Sequence, residues 1–241
     1  MQRPNLLLAV LSAADAAVLT PHLKPVRLEQ QTVLFDAGEE ISACIFPTGA
    51  IISLVVGLSS GEMIEAAMVG RDGVVGASSA LDGKISLSRA IVQLTGDAFV
   101  CDAGALKSAA MQSESLLSTL IRHEQTVYAQ AQQSTACMAS HHVEARLCRW
   151  LLRARDLSGS DSLAFTQEFL GEMLGVRRTS VTVVAHMLQQ AGMIRYTRGK
   201  IQILNVEGLR EAACECYETI NAHYRALLGG DTAKGYKTLR F

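Results

Sequence analysis

The stretch from Phe165 to Tyr196 constrains the fold of this chain more than any other segment. Apolar residues recur at helical spacing on both sides of Gly175, which predicts two short helices joined by a tight turn. Thr166 is placed to cap the first helix through its hydroxyl oxygen. The second helix, starting at Arg178, should bury one apolar stripe, formed by Val181, Val184, Ala185 and Leu188. This pattern is typical of a helix-turn-helix, whose second helix enters the major groove of DNA.

The opposite face of the second helix is short, polar and positively charged near its start. An arginine can donate two hydrogen bonds to guanine, and a threonine methyl group can contact the methyl group of thymine. The residues expected to contact base edges are Arg178, Thr179, Thr182 and His186. The alternative is an ordinary solvated helix of an all-α unit, which would not explain an exposed Val183 or a helix start rich in hydroxyl groups.

A hairpin signal follows the two helices. Two short alternating runs, at residues 194–196 and 200–204, flank the turn Thr197-Arg198-Gly199. A turn that contains glycine between two such runs predicts a β-hairpin, which would form a wing beside the second helix. Side chains around the helix and the wing would hold phosphates without reading the base sequence. The expected phosphate contacts are Thr166, Arg177, Ser180, Arg198 and Lys200.

Charge is distributed unevenly along the chain. The formal net charge of all 241 residues is -1, but residues 137–210 carry 10 Lys and Arg against 6 Asp and Glu. Residues 1–136 carry 8 Lys and Arg against 13 Asp and Glu. Positive charge therefore gathers at the predicted winged helix, and the acidic front half would be kept away from DNA. The length allows two domains, each with a core of its own.

The start of the chain and its cysteines predict a soluble cytoplasmic protein. The apolar run Leu6–Leu11 is shorter than an export signal needs, and Ser12 with Asp15 indicates a capped ordinary helix. No run is long enough for a transmembrane helix, so no membrane partner is expected. The six cysteines are scattered, and most of them are expected to be buried thiols in a reducing compartment: Cys44, Cys101, Cys137, Cys148, Cys214 and Cys216.

No metal site is predicted. The six histidines show no metal-binding spacing. Cys214 and Cys216 are two positions apart in a segment, residues 206–228, that is expected to form one amphipathic helix. Side chains two apart on a helix point about 200° from each other. The two thiols are therefore predicted to be packing residues, because they could not share a tetrahedral zinc ion without distorting the helix.

The front half, residues 26–102, is rich in short β-favouring runs separated by turn signals. Strands at this spacing suggest a sandwich or barrel. From about Ala105 the pattern becomes helical, and an α+β fold class follows for the whole chain. The expected strands are residues 32–35, 44–46, 51–56, 63–69 and 90–94.

A long helix is predicted to carry a coiled-coil seam, because residues recur at alternating spacings of three and four. The seam consists of Leu117, Leu120, Glu124, Val127, Ala131, Ser134 and Met138. The alternative is a helix packed on its own barrel through Leu116, Ile121 and Tyr128, and the two can coexist on different faces. A break is expected at residues 139–142. The next helix should bury its apolar stripe. Its arginines are expected to lie mostly outside this stripe: Arg146, Arg149, Arg153 and Arg155.

The order of these parts resembles the Crp/Fnr family of bacterial transcription regulators. The resemblance covers residues 11–204 and is most specific in VEARLCRWLL, TQEFLGEMLGVRRTSV and AGMIRY. It implies a jelly-roll-like β-roll sensor at 1–110 with a short N-terminal helix and a central dimerisation helix at 111–139. It also implies a winged helix-turn-helix with an extra C-terminal helix at 140–228, followed by a tail at 229–241. The family forms homodimers that read two half-sites about 34 Å apart. Double-stranded DNA and RNA polymerase are the further partners that it implies.

The resemblance also defines candidate effector residues. Cyclic-nucleotide-binding members carry Gly-Glu-x-Gly and a later Arg-Ser, where this chain has Gly70-Arg71-Asp72-Gly73 and then Ser88-Arg89. An arginine only donates hydrogen bonds and cannot accept one from a ribose hydroxyl, so cyclic AMP is not the expected effector. These residues would bind a different anion, or the two arginines are exposed or in structural ion pairs.

The residues identify no cofactor, and no iron–sulfur cluster is expected because no cysteine precedes Cys44. Arg178 matches the guanine-reading arginine of the family. Thr179 and Val183 differ from the cyclic-AMP-responsive members, which predicts a different operator sequence. An effector-independent regulator, a protein-interaction module and an enzyme are the alternatives, and the sequence contains no catalytic constellation that would support an enzyme.

Overall fold

The computed structural model describes residues 4–81 and 84–229, so the predicted tail lies, apart from Gly229, outside the described residues. The predicted α+β fold is confirmed. Antiparallel sheets in the first half lead into one long helix and then into a winged helix-turn-helix. Among the described residues, no helix is both long enough and apolar enough to cross a membrane.

Two facing antiparallel sheets form the β-roll. Their strand orders are β1-β7-β3 and β2-β6-β4-β5. Apolar side chains from both sheets meet in one core, which includes Leu28, Ile45, Ile52 and Val92. The strands are β1 Lys24–Leu28, β2 Val33–Phe35, β3 Ala43–Pro47, β4 Ile51–Gly57, β5 Met63–Val69, β6 Arg89–Leu94 and β7 Gly96–Asp102.

The sequence pattern does not predict β1 and β7, although β7 is the central strand of its sheet. Pro25 lies in β1, where it is tolerated because β1 is an edge strand. Gly96-Asp97 is a turn signal in the sequence, yet Gly96 opens β7 and pairs with Leu28. A Cβ atom on Gly96 would lie 2.2 Å from the backbone nitrogen of Ala50, so this position requires the close backbone approach that glycine allows.

Two short helices precede the β-roll, α1 Leu6–Ala9 and α2 Ala13–Leu19. The predicted cap of α2 is confirmed, because Ser12 Oγ accepts a hydrogen bond of 3.1 Å from the backbone N–H of Asp15. The Asp15 carboxylate also accepts hydrogen bonds from Ser113 and Ser115, which lie much later in the chain. This carboxylate therefore fixes α2 to the start of the long helix.

Three helices follow the β-roll: α3 Ala103–Gln112, α4 Glu114–Ser140 and α5 Val143–Ser158. The predicted break between the last two is confirmed, since His141 ends α4 in an extended conformation. One face of α4 lies on its own chain, where Gln130 Nε2 donates to Met68 O at 3.3 Å and His123 Nε2 accepts from Val74 N at 3.1 Å.

The prediction that the arginines of α5 lie away from its packed face is wrong for three of the four. Arg146, Arg149 and Arg153 are all buried. The reason is that α5 packs against the β-roll, the winged helix and the C-terminal helices at the same time. Two of these guanidinium groups have partners inside the protein. Arg146 donates a hydrogen bond to Leu174 O, and Arg153 forms an ion pair with Asp72.

The winged helix shares its core with α5. Trp150 contacts the rings of Phe165 and Phe169 at centroid distances of 4.8 and 6.0 Å. Its small sheet has the strand order β8-β10-β9. The elements of this domain are β8 Ser162–Leu163, α6 Gln167–Leu174, α7 Arg178–Gln190, β9 Ile194–Thr197 and β10 Lys200–Ile203.

The prediction of one continuous helix at 206–228 is wrong. Two helices occupy this segment, α8 Val206–Ala212 and α9 Cys216–Leu227. Ala213 leaves the helical conformation with ψ of 151°. The break lets α8 pack on α5 while α9 packs on α4 as well as on α5. Cys214 and Cys216 therefore do not lie on one helix, and the expectation that they point apart is also wrong.

Candidate nucleic-acid interface

Local features define both ends of α6, the first helix of the helix-turn-helix. Thr166 Oγ1 accepts a hydrogen bond of 3.1 Å from the backbone N–H of Phe169, which caps α6. Gly175 ends α6 in the left-handed conformation, with φ of 61° and ψ of 43°. A residue with a side chain would be strained in this conformation. Thr166 therefore stabilises the start of α6, and Gly175 ends this helix and begins the turn that leads to α7.

The four apolar residues of the predicted stripe seat α7, since Val181, Val184, Ala185 and Leu188 are all buried. The other side of the helix is open to solvent, and Val183 is 61% exposed on it. The predicted base contacts lie together on this exposed face: Arg178, Thr179, Thr182 and His186. A helix seated in this way presents a ridge of donors, acceptors and methyl groups to a ligand.

Side chains on the exposed face of α7 make weak contacts with neighbouring groups. Arg178 Nη1 lies 3.4 Å from Glu168 Oε2, and both side chains are about two-thirds exposed at 65% and 66%. Thr182 Oγ1 lies 2.7 Å from Gln167 Oε1 and 3.0 Å from the carbonyl oxygen of Arg178. An exposed ion pair contributes at most about 1 kcal/mol, so a base or a phosphate can replace the carboxylate at small cost.

The start of α7 carries positive charge and backbone N–H groups without a side-chain cap. Arg177 is its N-cap residue and makes no capping hydrogen bond through its side chain. The helix dipole places partial positive charge at this end, where backbone N–H groups point outward. Arg177 is exposed and Ser180 is half-buried one turn along.

The wing is a tight hairpin whose tip is cationic. Lys200 pairs with Thr197 across the turn. Arg198 and Gly199, the two residues between them, have φ of 46° and 78°. Two-residue hairpins of type I′ require positive φ at both central positions. Arg198 and Lys200 are therefore held exposed at the tip.

Thr166 and the wing are brought together. A Cβ atom on Gly199 would lie 3.5 Å from Thr166 Cγ2. Arg195 is also exposed, on β9, and was not among the predicted contacts. The alternation of β9 could have identified it, because Ile194 before it is buried. Gln189 joins α7 to the wing, since its Oε1 accepts a 2.9 Å hydrogen bond from Tyr196 N.

The predicted effector residues do not converge on one site. Gly70 and Gly73 lie under helices of the same chain: an added Cβ atom would be 2.8 Å from Leu157 Cβ at the first position and 2.5 Å from His123 Nε2 at the second. Asp72 pairs with Arg153 at 2.7 Å, with both side chains buried. These residues therefore let α4 and α5 approach the end of β5.

The remaining candidates lie elsewhere. Arg89 donates two hydrogen bonds to Asp36, at 2.8 and 2.9 Å, and these bonds lower the pKa of the Asp36 carboxyl. Arg71 lines a groove beside α9. A separate cavity of about 230 Å³ lies between the β-roll and α4. Of the six candidates, Ser88 lines this cavity, together with Ser86, Glu124 and a largely apolar wall.

The predicted coiled-coil seam is divided between two faces of α4. Leu120 and Ser134 are buried in their own chain, and Val127 packs against the β-roll core. Leu117, Glu124, Ala131 and Met138 are half-buried. The alternative, in which Leu116, Ile121 and Tyr128 pack on the barrel, holds only for Leu116: Ile121 and Tyr128 are 41% and 66% exposed.

Comparisons with known proteins agree with this architecture. A family model described as the Crp-like helix-turn-helix domain matches residues 145–212. No curated protein matches the sequence significantly. Among solved structures, the chain is similar to FixK2 from Bradyrhizobium japonicum, at 15% identity and a TM-score of 0.68 over 80% of this chain and 98% of that chain.

Two further structures show the same likeness. A CRP/FNR-family transcriptional regulator from Thermus thermophilus has 21% identity and a TM-score of 0.64, covering 79% of this chain and 98% of that chain. CLP, a c-di-GMP-responsive global regulator from Xanthomonas campestris, has 14% identity and a TM-score of 0.62, covering 80% and 99%. The domain match and the shared fold confirm the predicted resemblance to the Crp/Fnr family.

Proposed function

We propose that this Crp/Fnr-type transcription regulator, which carries a helix-turn-helix DNA-binding domain, acts as a homodimer that reads a two-fold-symmetric operator. The observation that carries the proposal is the exposed face of α7, with Arg178, Thr179, Thr182 and His186 on one side and a fully seated apolar stripe on the other. Each α7 enters one major groove, and Arg178 donates to a guanine.

Phosphate contacts frame this readout. Thr166, Arg177, Ser180, Arg198 and Lys200 surround the exposed face of α7 from the helix start to the wing tip. Arg195 joins them on the outer side of β9. These contacts set the register of the domain on the duplex and give the binding its dependence on salt.

The dimer forms along α4. Seven of the residues that this helix leaves partly or fully accessible recur at alternating spacings of four and three, which is a coiled-coil pattern. Four of them belong to the predicted seam, and Ile121, Tyr128 and Thr135 replace the members that face their own chain. The proposed interface is Leu117, Ile121, Glu124, Tyr128, Ala131, Thr135 and Met138.

Control by an effector acts through the β-roll. Ile64 on β5 lies directly beside Gly175, and Gln93 Nε2 on β6 lies 3.3 Å from Met173 Sδ on α6. A cleft of about 510 Å³ separates the turn at Ser60–Glu62 from Arg177 and Arg178. A ligand that moves these strands would therefore move the helix-turn-helix. The cavity beside α4 is the proposed effector site, and its apolar wall does not suit a cyclic nucleotide phosphate.

The test is selection of bound fragments from random duplex DNA by the full-length protein, followed by affinity measurements at several salt concentrations. Arg177, Arg195, Arg198 and Lys200 give four cationic contacts per protomer, so the slope of log Kobs against log salt should be about -7 for a dimer. A palindromic consensus is expected, and added cyclic AMP should leave the affinity unchanged. A protein that ignores duplex DNA at low ionic strength would refute the function.

Arg225→Ala is a matched control for charge, because Arg225 is an exposed arginine on α9. This variant should bind the selected duplex like the unmodified protein. A cyclic-AMP-dependent gain in affinity would contradict the effector assignment without affecting the DNA-binding proposal.

A further inference from the structure

Four potential metal ligands meet where α4 ends and α9 begins. They are Cys137, His141, Cys214 and Cys216, and their donor atoms all lie within 4.8 Å of one another. Cys137 Sγ is 3.5 Å from Cys214 Sγ, and Cys216 Sγ is 3.6 Å from His141 Nδ1. The three cysteines are buried and the histidine is half-buried.

The backbone brings the four side chains together by two local features. Cys137 and His141 are four residues apart at the end of α4, a spacing that places both on one face of the helix. Cys214 lies in the break between α8 and α9, and Cys216 is the first residue of α9. Because the chain turns at Ala213, the two thiols are free to point to the same place.

The spacing of the donors suits a zinc ion. Zinc binds thiolate sulfur at about 2.3 Å and imidazole nitrogen at about 2.0–2.1 Å, so the edges of a tetrahedral site are about 3.5–3.8 Å long. The distance from Cys137 Sγ to Cys214 Sγ and that from Cys216 Sγ to His141 Nδ1 both lie in this range. All four donor atoms lie within 4.8 Å of one another, so the longer separations would close by at most about 1 Å through side-chain rotation.

Polar groups behind the ligands support the same interpretation. His141 Nε2 lies 3.2 Å from Glu215 Oε1, which leaves Nδ1 as the nitrogen facing the thiols. A carboxylate behind a ligating histidine is the usual outer partner that fixes the ring and its tautomer. Gln133 Nε2 lies 3.0 Å from Cys216 Sγ and donates a hydrogen bond to this sulfur.

Buried positive charge near the cluster complements the negative charge that the occupied site would carry. Three thiolates and one Zn²⁺ leave a net charge of about -1 on the site. Arg146 and Arg149 are buried on the adjacent α5, and both interact electrostatically with Cys137. The Nε atoms of both arginines have no hydrogen-bond partner among the described residues. A buried cation of this kind is stabilised by a nearby anionic centre.

We propose that Cys137, His141, Cys214 and Cys216 bind one thiophilic divalent cation, of which Zn²⁺ is the biological representative. The protein supplies four ligands, which is the arrangement of a structural site rather than a catalytic one. Three thiolates select soft metals over Mg²⁺ and Ca²⁺. The ion ties the end of α4 to the start of α9, beside the break that joins α4 to α5. It therefore fixes the angle between the central helix and the winged helix.

The test is metal analysis of the full-length protein, purified under reducing and anaerobic conditions. One zinc per chain is expected, or uptake of one equivalent by the chelator-treated protein. Co²⁺ substitution should give the thiolate-to-cobalt charge-transfer absorption and the intense visible bands of a tetrahedral site. Zn²⁺ should displace these bands, and chelation should lower the thermal midpoint.

Variants distinguish metal binding by these four residues from a general role in packing. Cys214→Ser and His141→Gln should each lose most of the cobalt charge-transfer signal or weaken Zn²⁺ binding at least tenfold. Cys101→Ser is the matched control, since Cys101 is a buried thiol on β7 outside the cluster. It should bind the metal as the unmodified protein does.

Three outcomes would overturn the proposal. One is a reduced, folded protein that takes up no zinc or cobalt. Another is a protein that loses two hydrogen atoms in a Cys137–Cys214 disulfide and keeps it under reducing conditions. The third is an iron–sulfur absorption in place of the cobalt spectrum. The result does not depend on DNA binding, so failure here leaves the proposed function intact.

Discussion

Two charged residues of this chain, Arg178 and Asp72, lie in very different surroundings. Arg178 is exposed on α7 and pairs loosely with Glu168. Asp72 is buried and pairs with Arg153 at 2.7 Å, where water cannot compensate for a lost partner. Exposed pairs contribute at most about 1 kcal/mol, whereas breaking a buried pair costs about 3–5 kcal/mol. We therefore expect Arg178 to affect DNA binding and Asp72 to affect folding.

Arg178→Ala should cost about 1–3 kcal/mol of binding to the selected operator and much less on random duplex DNA. The reason is that a bidentate contact to guanine is lost, while the phosphate contacts remain. Titration of both duplexes by fluorescence anisotropy measures the two losses. Lys200→Ala is the comparison: it should weaken binding to both duplexes equally and reduce the salt slope by about one per half-site. Equal losses for Arg178→Ala on both duplexes would exclude base reading by this residue.

Asp72→Asn should lower the free energy of unfolding by about 3–5 kcal/mol, since Arg153 would remain buried without its charge partner. Asp97→Asn is the control, because Asp97 pairs with Arg27 at 3.2 Å on the surface, and this change should cost less than about 1 kcal/mol. Urea denaturation measures both values. An Asp72→Asn protein as stable as the Asp97→Asn protein would contradict a structural role for the Asp72–Arg153 pair.

At the scale of the secondary-structure element, the helix-turn-helix depends on one left-handed residue. Gly175→Ala should cost about 1–2 kcal/mol of stability, because φ of 61° is strained for a residue with a side chain. The added methyl group would also lie 3.4 Å from Ile64 Cδ1, in ordinary contact with the β-roll. Thermal unfolding gives the size of the effect.

Gly57→Ala provides the control for this change. Gly57 ends β4, its φ is not positive, and nothing lies within 4 Å of an added Cβ atom. Its substitution should change stability by less than about 0.5 kcal/mol. Comparable losses in the two variants would show that the left-handed turn is not the cause.

At the scale of the whole molecule, a buried carboxyl group joins the β-roll to α5. Glu65 Oε1 accepts a 2.8 Å hydrogen bond from Trp150 Nε1, and its other oxygen accepts one from Ser53. Burial raises the pKa of Glu65 above that of a free glutamate. The folded state therefore favours the protonated group. The stability from this group is present at acid pH and is lost as the pH rises through the folded pKa.

Glu65→Gln removes this pH dependence. The stability of the variant relative to the unmodified protein should increase as the pH rises above about 4.3, the usual pKa of glutamate. Thermal midpoints of both proteins measured from about pH 5 to about pH 8 would check the trend, because the raised pKa of Glu65 lies above the usual value for glutamate. Glu62→Gln is the control, because Glu62 is exposed on the same hairpin. Parallel pH profiles for Glu65→Gln and the unmodified protein would contradict the assignment.

The proposed dimer is also a property of the whole molecule. Tyr128→Asp places a charge in the α4 seam, so it should raise the dimer dissociation constant at least tenfold without lowering monomer stability, since Tyr128 is exposed in one chain. Sedimentation at several concentrations measures the change. Ser118→Asp is the control, an exposed position on α4 about 80° around the helix from Tyr128. An unmodified protein that sediments as a monomer would exclude the seam.

Local patterns predicted much of the DNA-binding half. Thr166, Gly175 and the stripe on α7 act through their immediate neighbours in the chain, so their roles are readable from spacing. The same holds for the wing, whose turn is set by Arg198 and Gly199. The buried arginines of α5 were not predictable in this way. Their partners Leu174 and Asp72 are distant in the chain.

The sequence alone determined the elements with local causes: the capped helices, the left-handed turn, the tight hairpin and the exposed cationic face of α7. Only the tertiary structure decided which surfaces meet. It turned Leu120 and Ser134 inward, paired Gly96 with Leu28, and broke the C-terminal helix so that Cys214 joined Cys137 and His141. The physical reason is that caps and turns depend on a few adjacent residues. Burial and ligand geometry depend instead on groups that only folding brings together.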